Sequence, residues 1–241
     1  LIKNVKFKIN FLNIYFFSFI SLLGVVVPGI IFYISASKVP AGILSISVSF
    51  VPMLTYVFSL ILKIEKLSYL KLIGVVFGFI SILILVGPQN SFTDRSIIPW
   101  ILLAMICPFC YTFENLYLDL KKPKEMDSIS LSLGASLISI IILTPIVFYF
   151  DCFMTINFPF RKVEWSLIGL STISAISYTL FIYLISKAGA VFASLTGYIV
   201  TISGVLWGII LFKESHSLWV WISLCVMIFG LSLVRPSSRN N

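Results

Sequence analysis

The stretch Ala36–Val86 reads ASKVPAGILSISVSFVPMLTYVFSLILKIEKLSYLKLIGVVFGFISILILV. It holds two apolar runs, Gly42–Leu62 and Leu70–Val86, parted by a short turn carrying Lys63, Glu65 and Lys66. A helix crossing the hydrocarbon core of a bilayer needs about 20 mainly apolar residues. Both runs meet or approach that length. Outward from them lie Phe11–Ser35 on one side and Ile98–Leu118, Leu131–Phe150, Leu167–Ile185, Val191–Phe212 and Leu218–Val234 on the other. The third and the eighth, in chain order, are short. No run alternates as the strands of a membrane barrel do. Backbone groups in lipid must be satisfied within their own segment, which leaves helices. The expected fold is all-α and integral to the membrane, with about eight transmembrane helices.

Composition agrees. Hydrophobic residues make up 59% of the chain and charged residues 11%, against roughly 25% charged in a soluble domain. So few charges cannot cover a water-exposed globule. The net charge of +8 forms no basic stripe interleaved with aromatics, which argues against a nucleic-acid partner. The connections Ser37–Pro40 and Lys187–Ala190 barely turn the chain, and even the longest loop, Asp151–Glu164, leaves no room for a soluble domain. The lysines of Leu1–Asn10 before an apolar run resemble a signal peptide only superficially. That run lasts about 25 residues, whereas a signal-peptide core lasts roughly 7–15.

Cys107, Cys152, Cys225 and Cys110 suggest no disulfide framework, since three of the four fall inside apolar runs. Cys107-Pro-Phe-Cys110 has the spacing of a thiol redox motif, but that motif needs a strand-to-helix context. Within a span these two read as small buried residues.

Orientation follows from lysine and arginine. With the amino terminus in the cytoplasm, the inner gaps hold Lys3, Lys6, Lys8, Lys63, Lys66, Lys71, Lys121, Lys122, Lys124, Lys187, Arg235 and Arg239. The outer gaps hold only Lys38, Arg95, Arg161, Lys162 and Lys213. The excess places both termini inside, in a multi-pass protein of the cell (inner) membrane.

An internal repeat adds architecture. At an offset of 149 residues, Ser37 and Lys38 fall on Ser186 and Lys187, Ala41 on Ala190, Ser45 on Ser194, Glu65 on Glu214 and Ser68 on Ser217. Five helices separate Glu65 from Glu214, and an odd number inverts the second copy in the membrane. Inverted repeats are a recurring transporter architecture, with the solute site where the halves meet.

The stretch quoted above, together with ISKAGAVFASLTGYIVTISGVLWGIILFKESHSLWVWISLCVMIFGLSLV (Ile185–Val234), resembles the EamA-type transporters of the drug/metabolite transporter superfamily. Both stretches show a small-residue turn, a Ser-containing helix, a glutamate at the hairpin and a Gly-containing last helix. The resemblance implies ten helices in two five-helix halves with both ends cytoplasmic. On that pattern residues 11–87 form a first repeat of three helices and 98–236 a second of five. Phe11–Ser35 then corresponds to the third family helix, so the chain, which opens on Leu1 rather than Met, is expected to be a remnant of a 5+5 fold without its first two helices. Thr201 stands where the first copy has Pro52, which removes the reason for a helix break on the second side.

Ser45, Ser49, Pro52 and Tyr56 share one face of their helix at i, i+4, i+7 and i+11. Ser194, Tyr198 and Thr201 lie on the equivalent face. Polar stripes of membrane helices turn toward protein or water, and Pro52 frees a carbonyl. These residues are expected to line a central solute pathway. The competing reading is helix packing through small residues, which suits Gly197, Thr201, Gly204 and Gly208. Glu114 is the one acid clearly inside an apolar run, three residues beyond Tyr111. A carboxylate there costs about 2.5–3.5 kcal/mol on insertion scales, which makes Glu114, with Tyr111, a candidate proton carrier. The alternative is a side chain that snorkels to the nearby helix end. Glu65 and Glu214 sit at hairpins before Ser68 and Ser217 and read as structural. Lys38 and Lys187 are placed to reach headgroups. The lone His216 has no neighbours for a metal site.

The function expected is secondary transport of small solutes or metabolites by alternating access, with proton coupling open. No GxxxxGK[ST] loop is present for ATP, no catalytic or metal set is found, and no cofactor is expected. Partners are a small-molecule solute and the lipid bilayer, with a homodimer compatible. The alternatives are a truncated, transport-inactive membrane protein and a membrane-embedded lipid-modifying enzyme, for which no cluster of acids, His or Cys is found.

Overall fold

A computed structural model describes residues 11–87, 95–123, 125–154 and 158–234. Lys3, Lys6, Lys8, Lys124, Arg235 and Arg239, which carry part of the orientation reading, lie outside the described residues. Among the described residues the chain is all-helical, with no strands. Seven helices among the described residues are long and apolar enough to cross a membrane: α1 Asn13–Ala36, α2 Ala41–Ile61, α3 Tyr69–Val86, α4 Arg95–Lys121, α5 Ser128–Tyr149, α6 Lys162–Ala188 and α7 Ala190–Phe212. A shorter apolar helix follows, α8 Leu218–Leu233.

Local chemistry sets several ends. Asp127 accepts a hydrogen bond from the Ser130 N–H at 2.9 Å and caps α5. Bonds from the Ser130 side chain and backbone hold its carboxyl below the usual carboxylate range. At α6, the Arg161 N–H donates to Glu164 Oε2 at 2.9 Å, so this helix starts earlier than its apolar run. The α6–α7 turn consists of Gly189 alone, at φ 85°, a conformation that costs a residue without Cβ little.

Four spans are not regular throughout. α1 widens into a π turn at Leu22–Val26, where Pro28 has no N–H for the carbonyl four residues back. α4 breaks at Met105, three residues before Pro108. α2 breaks at Ser49–Phe50, between helical segments Ala41–Val48 and Val51–Ile61. α7 breaks at Leu195–Thr196, between Ala190–Ser194 and Gly197–Phe212. The last break interrupts the second side even though Thr201 stands in place of a proline. Its cause is hydroxyl competition for backbone carbonyls. Ser194 Oγ donates to the Val191 carbonyl at 2.8 Å and Thr196 Oγ1 to that of Ala193 at 2.9 Å. In α2, Ser47 and Ser49 do the same to Ile43 and Ile46 beside Pro52.

Burial separates centre from periphery. The apolar window of α2 is 78% buried and that of α6 only 11%, so α2 is the axis of the bundle and α6 a wall. Leu170, Ile173 and Ile176 of α6 face outward, as lipid contact requires. One core cluster joins Ile46, Phe50 and Met53 of α2 to Val75 of α3 and Met227 of α8. A second joins Phe17 and Ile20 of α1 to Leu118, Leu131 and Ile182.

Helices α3 and α8 meet most closely. A Cβ on Gly74 would lie 2.6 Å from the Gly230 carbonyl oxygen, and one on Gly230 2.8 Å from that of Gly74. One end of the same seam is tied by Ser81 Oγ donating to the Ser223 carbonyl at 2.8 Å and Ser223 Oγ to that of Ser81 at 2.9 Å. The 149-residue offset sends Gly74 to Ser223 and Gly230 to Ser81, so each contact is the image of the other.

Candidate functional site

Two of the broken helices, α2 and α7, flank one cavity of about 570 Å³, within the usual range for small-molecule pockets of roughly 300–1,000 Å³. Ser49 and Ser194, at the two breaks, line it together with Tyr111, Glu114 and Asn115 of α4 and Tyr178 of α6. Val48, Val51, Leu180, Phe181, Leu184 and Val200 supply apolar wall.

Glu114 is 2% exposed. The Tyr178 hydroxyl donates to its Oε1 at 2.6 Å. Opposite, the carboxyl group occupies the notch left by Gly24 in the π turn of α1, where a Cβ would collide with it. The irregular turn and the missing side chain together make room for an acid from another helix. Asn115 is 1% exposed, and neither its Oδ1 nor its Nδ2 has a hydrogen-bond partner. Cys107 and Cys110 are free and buried on a continuous helix, Ile106–Lys121.

Of the residues singled out in the sequence, Ser49, Tyr111, Glu114 and Ser194 come together at the cavity. The rest sit elsewhere. Ser45 donates to the Gly42 carbonyl at 2.7 Å and packs against Gly204 of α7, with the Thr201 carbonyl 3.3 Å from its Oγ. Thr201 Oγ1 bonds back to the Gly197 carbonyl at 2.6 Å. Pro52 faces Gly197, and Tyr198 packs against the α2 core. Tyr56 is fully buried, and its hydroxyl accepts from the Ser68 N–H at 2.9 Å. Tyr178 and Gly24 were missed. Ser174, Ser177 and Tyr178 fall at i, i+3 and i+4 on α6, the polar-stripe pattern that singled out α2.

The hairpin glutamates differ in their partners. The Glu65 and Glu214 N–H groups make equivalent backbone bonds, to the Ser59 carbonyl at 3.3 Å and the Gly208 carbonyl at 3.2 Å. Their side chains then diverge. Glu214 reaches the first turn of α2, accepting from the Ala41 N–H at 2.7 Å and the Gly42 N–H at 3.1 Å. His216 Nε2 lies 3.2 Å from Glu214 Oε2. Glu65 instead pairs with Lys71 at 3.0 Å, and the Ala190 N–H, the equivalent of Ala41, is bonded to Asp119 at 3.3 Å.

A bundle of long apolar helices around a part-polar cavity defines a multi-pass membrane protein. The sequence model of the EamA-like transporter family matches residues 98–235, more than half of the chain, and the chain belongs to that family. No curated protein matches it. Members of the family are membrane transporters rather than enzymes, which sit in a lipid bilayer and bind small solutes.

Proposed function

We propose that this protein is a secondary transporter that moves a small solute by alternating access through the cavity between α2 and α7. The observation that carries the reading is the pair of helix breaks, Ser49–Phe50 and Leu195–Thr196, on one cavity. Irregular backbone deep in a membrane protein is tolerated where it lines a cavity or is buried in protein, and transporters place their sites at such breaks. Two inverted repeats, 11–87 and 98–236, supply the two bodies. The reciprocal contacts of the α3–α8 seam support that division. With both termini cytoplasmic in the cell membrane, the Glu214 hairpin and Ala41 lie outside, and the Glu65 hairpin and Ala190 inside. Glu214 then clamps the outer end. Exchange of the two repeats' conformations releases that clamp and brings Glu65 to the Ala190 N–H. Glu114, held by Tyr178, is the group in position to carry a coupled proton.

The test is metabolite profiling of cells with and without the gene, followed by counterflow of the solute that accumulates into liposomes holding the purified protein. Saturable flux blocked by Ser49→Trp is expected. Flux that Ser49→Trp and Ser194→Trp leave unchanged would rule out this cavity as the pathway.

A further inference from the structure

We propose that the cavity selects organic amines, solutes with an ammonium head on an apolar body, read by Glu114 and Asn115. The proposal deepens the transporter reading and rests on this cavity being the solute site. Its starting point is where the hydroxyl hydrogens go. Ser49 donates to the Ile46 carbonyl, Ser194 to that of Val191, Thr196 to that of Ala193, and Tyr178 to Glu114. Each of these groups lines the cavity, and each has spent its one donor, so toward a solute it offers lone pairs alone. Glu114 adds a carboxyl group, and Asn115 adds Oδ1. Among the described lining residues there is no Lys, Arg or His.

The Tyr111, Ser174 and Ser177 hydroxyls and Asn115 Nδ2 also line the cavity and can donate, so what distinguishes the site is its charge: an acid, and no base among the described lining residues. An ammonium group brings three donors and a positive charge. A carboxylate or phosphate brings acceptors and a negative charge, and would meet Glu114 without a cation to offset it. The α2 and α7 segments that start at Val51 and Gly197 offer little to an anion. The Met53 and Leu54 N–H groups are bonded to the Phe50 carbonyl, and the Tyr198 and Val200 N–H groups to those of Leu195 and Thr196. Asn115 is the independent mark of a ligand. A buried side-chain amide without partners is a costly arrangement, and an ammonium head would supply a donor to its Oδ1. The apolar wall of Val51, Phe181, Leu184 and Val200 receives the body.

The experiment uses the purified full chain in lipid nanodiscs and three probes sharing one apolar body: 2-phenylethylamine, 2-phenylethanol and 3-phenylpropionate, near neutral pH. Saturable thermal stabilisation by the amine is expected at concentrations at least about tenfold below those for the alcohol or the acid. Glu114→Gln keeps an acceptor for Tyr178 and should retain the fold, while weakening the amine at least about tenfold and the alcohol little. Val200→Trp, which fills the cavity, should abolish the amine response. The proposal is overturned if the acid binds as well as the amine, if Glu114→Gln leaves amine affinity unchanged, or if no amine response saturates by about 10 mM. Amine binding without flux into liposomes would sink the transporter reading and leave the amine class standing. Flux of carboxylates, blocked by Val200→Trp, would do the reverse.

Discussion

Glu214→Gln separates a structural hairpin glutamate from a gate. In the structure both carboxylate oxygens accept backbone N–H groups from the start of α2, at 2.7 and 3.1 Å, where the helix end favours negative charge. Gly208 leaves the space the carboxylate fills, and a Cβ on Gly42 would lie 2.8 Å from His216 Nε2. Glutamine keeps one carbonyl oxygen, but its amide group must then face the second N–H. Hydrogen bonds to a charged group contribute about 1.5–3 kcal/mol each. Losing one and neutralising the other removes about 2 kcal/mol from the clamped state, or roughly 30-fold in the clamped-to-open ratio. The assay places a reporter, Ser49→Cys, in a background without native cysteines. A membrane-impermeant maleimide is added on the Glu214 side. Labelling is expected to rise about 30-fold with Glu214→Gln, while Glu65→Gln, which weakens the equivalent clamp of the open state, lowers it. A change within about twofold would refute the clamp.

Three further outcomes follow from the same structure. Cysteines in place of Phe153 or Met154, exposed after α5, should label from outside and one in place of Lys121 should not; the reverse pattern would invert the orientation. Glu114→Gln should abolish uptake driven by a pH gradient while leaving insertion intact, and full gradient-driven uptake by that variant would exclude the proton role. Asp127→Ala should cost about 1 kcal/mol at neutral pH, read as a lower melting temperature, with Asp127→Asn close to wild type. Because the folded-state pKa of Asp127 is lowered, its contribution is present above the unfolded value of about 3.9 and is lost as the pH falls through the folded one. A deficit that persists unchanged in acid would argue against the cap.

The membrane fold was legible because long apolar runs admit few alternatives. Boundaries moved where polar residues extend a helix past its apolar run, as Glu164 does for α6. The π turn of α1 and the break in α7 were not legible. Both depend on which carbonyls lose their usual N–H partners, and in α7 on hydroxyls that could equally have faced another helix. Glu114 stood out as an acid in an apolar run, but its partner Tyr178 is 64 residues away, and no local pattern joins them. Ser45 and Tyr56 fitted the same polar stripe as Ser49. Helical spacing places them on one face but does not say what that face meets, which here is Gly204 for one and a hairpin for the other.

Under the proposed exchange of the repeats, the contact of Gly74 with Gly230 and that of Ser81 with Ser223 map onto each other. The two ends of the seam are thereby equivalent positions of the two repeats, so in that proposal the seam favours neither conformation. On that proposal it acts as a fulcrum, and the work of switching falls on the broken helices and their glutamate hairpins. A bulky side chain at Gly74 would therefore disturb both conformations alike. It should reduce how much protein folds without biasing which way the folded protein opens.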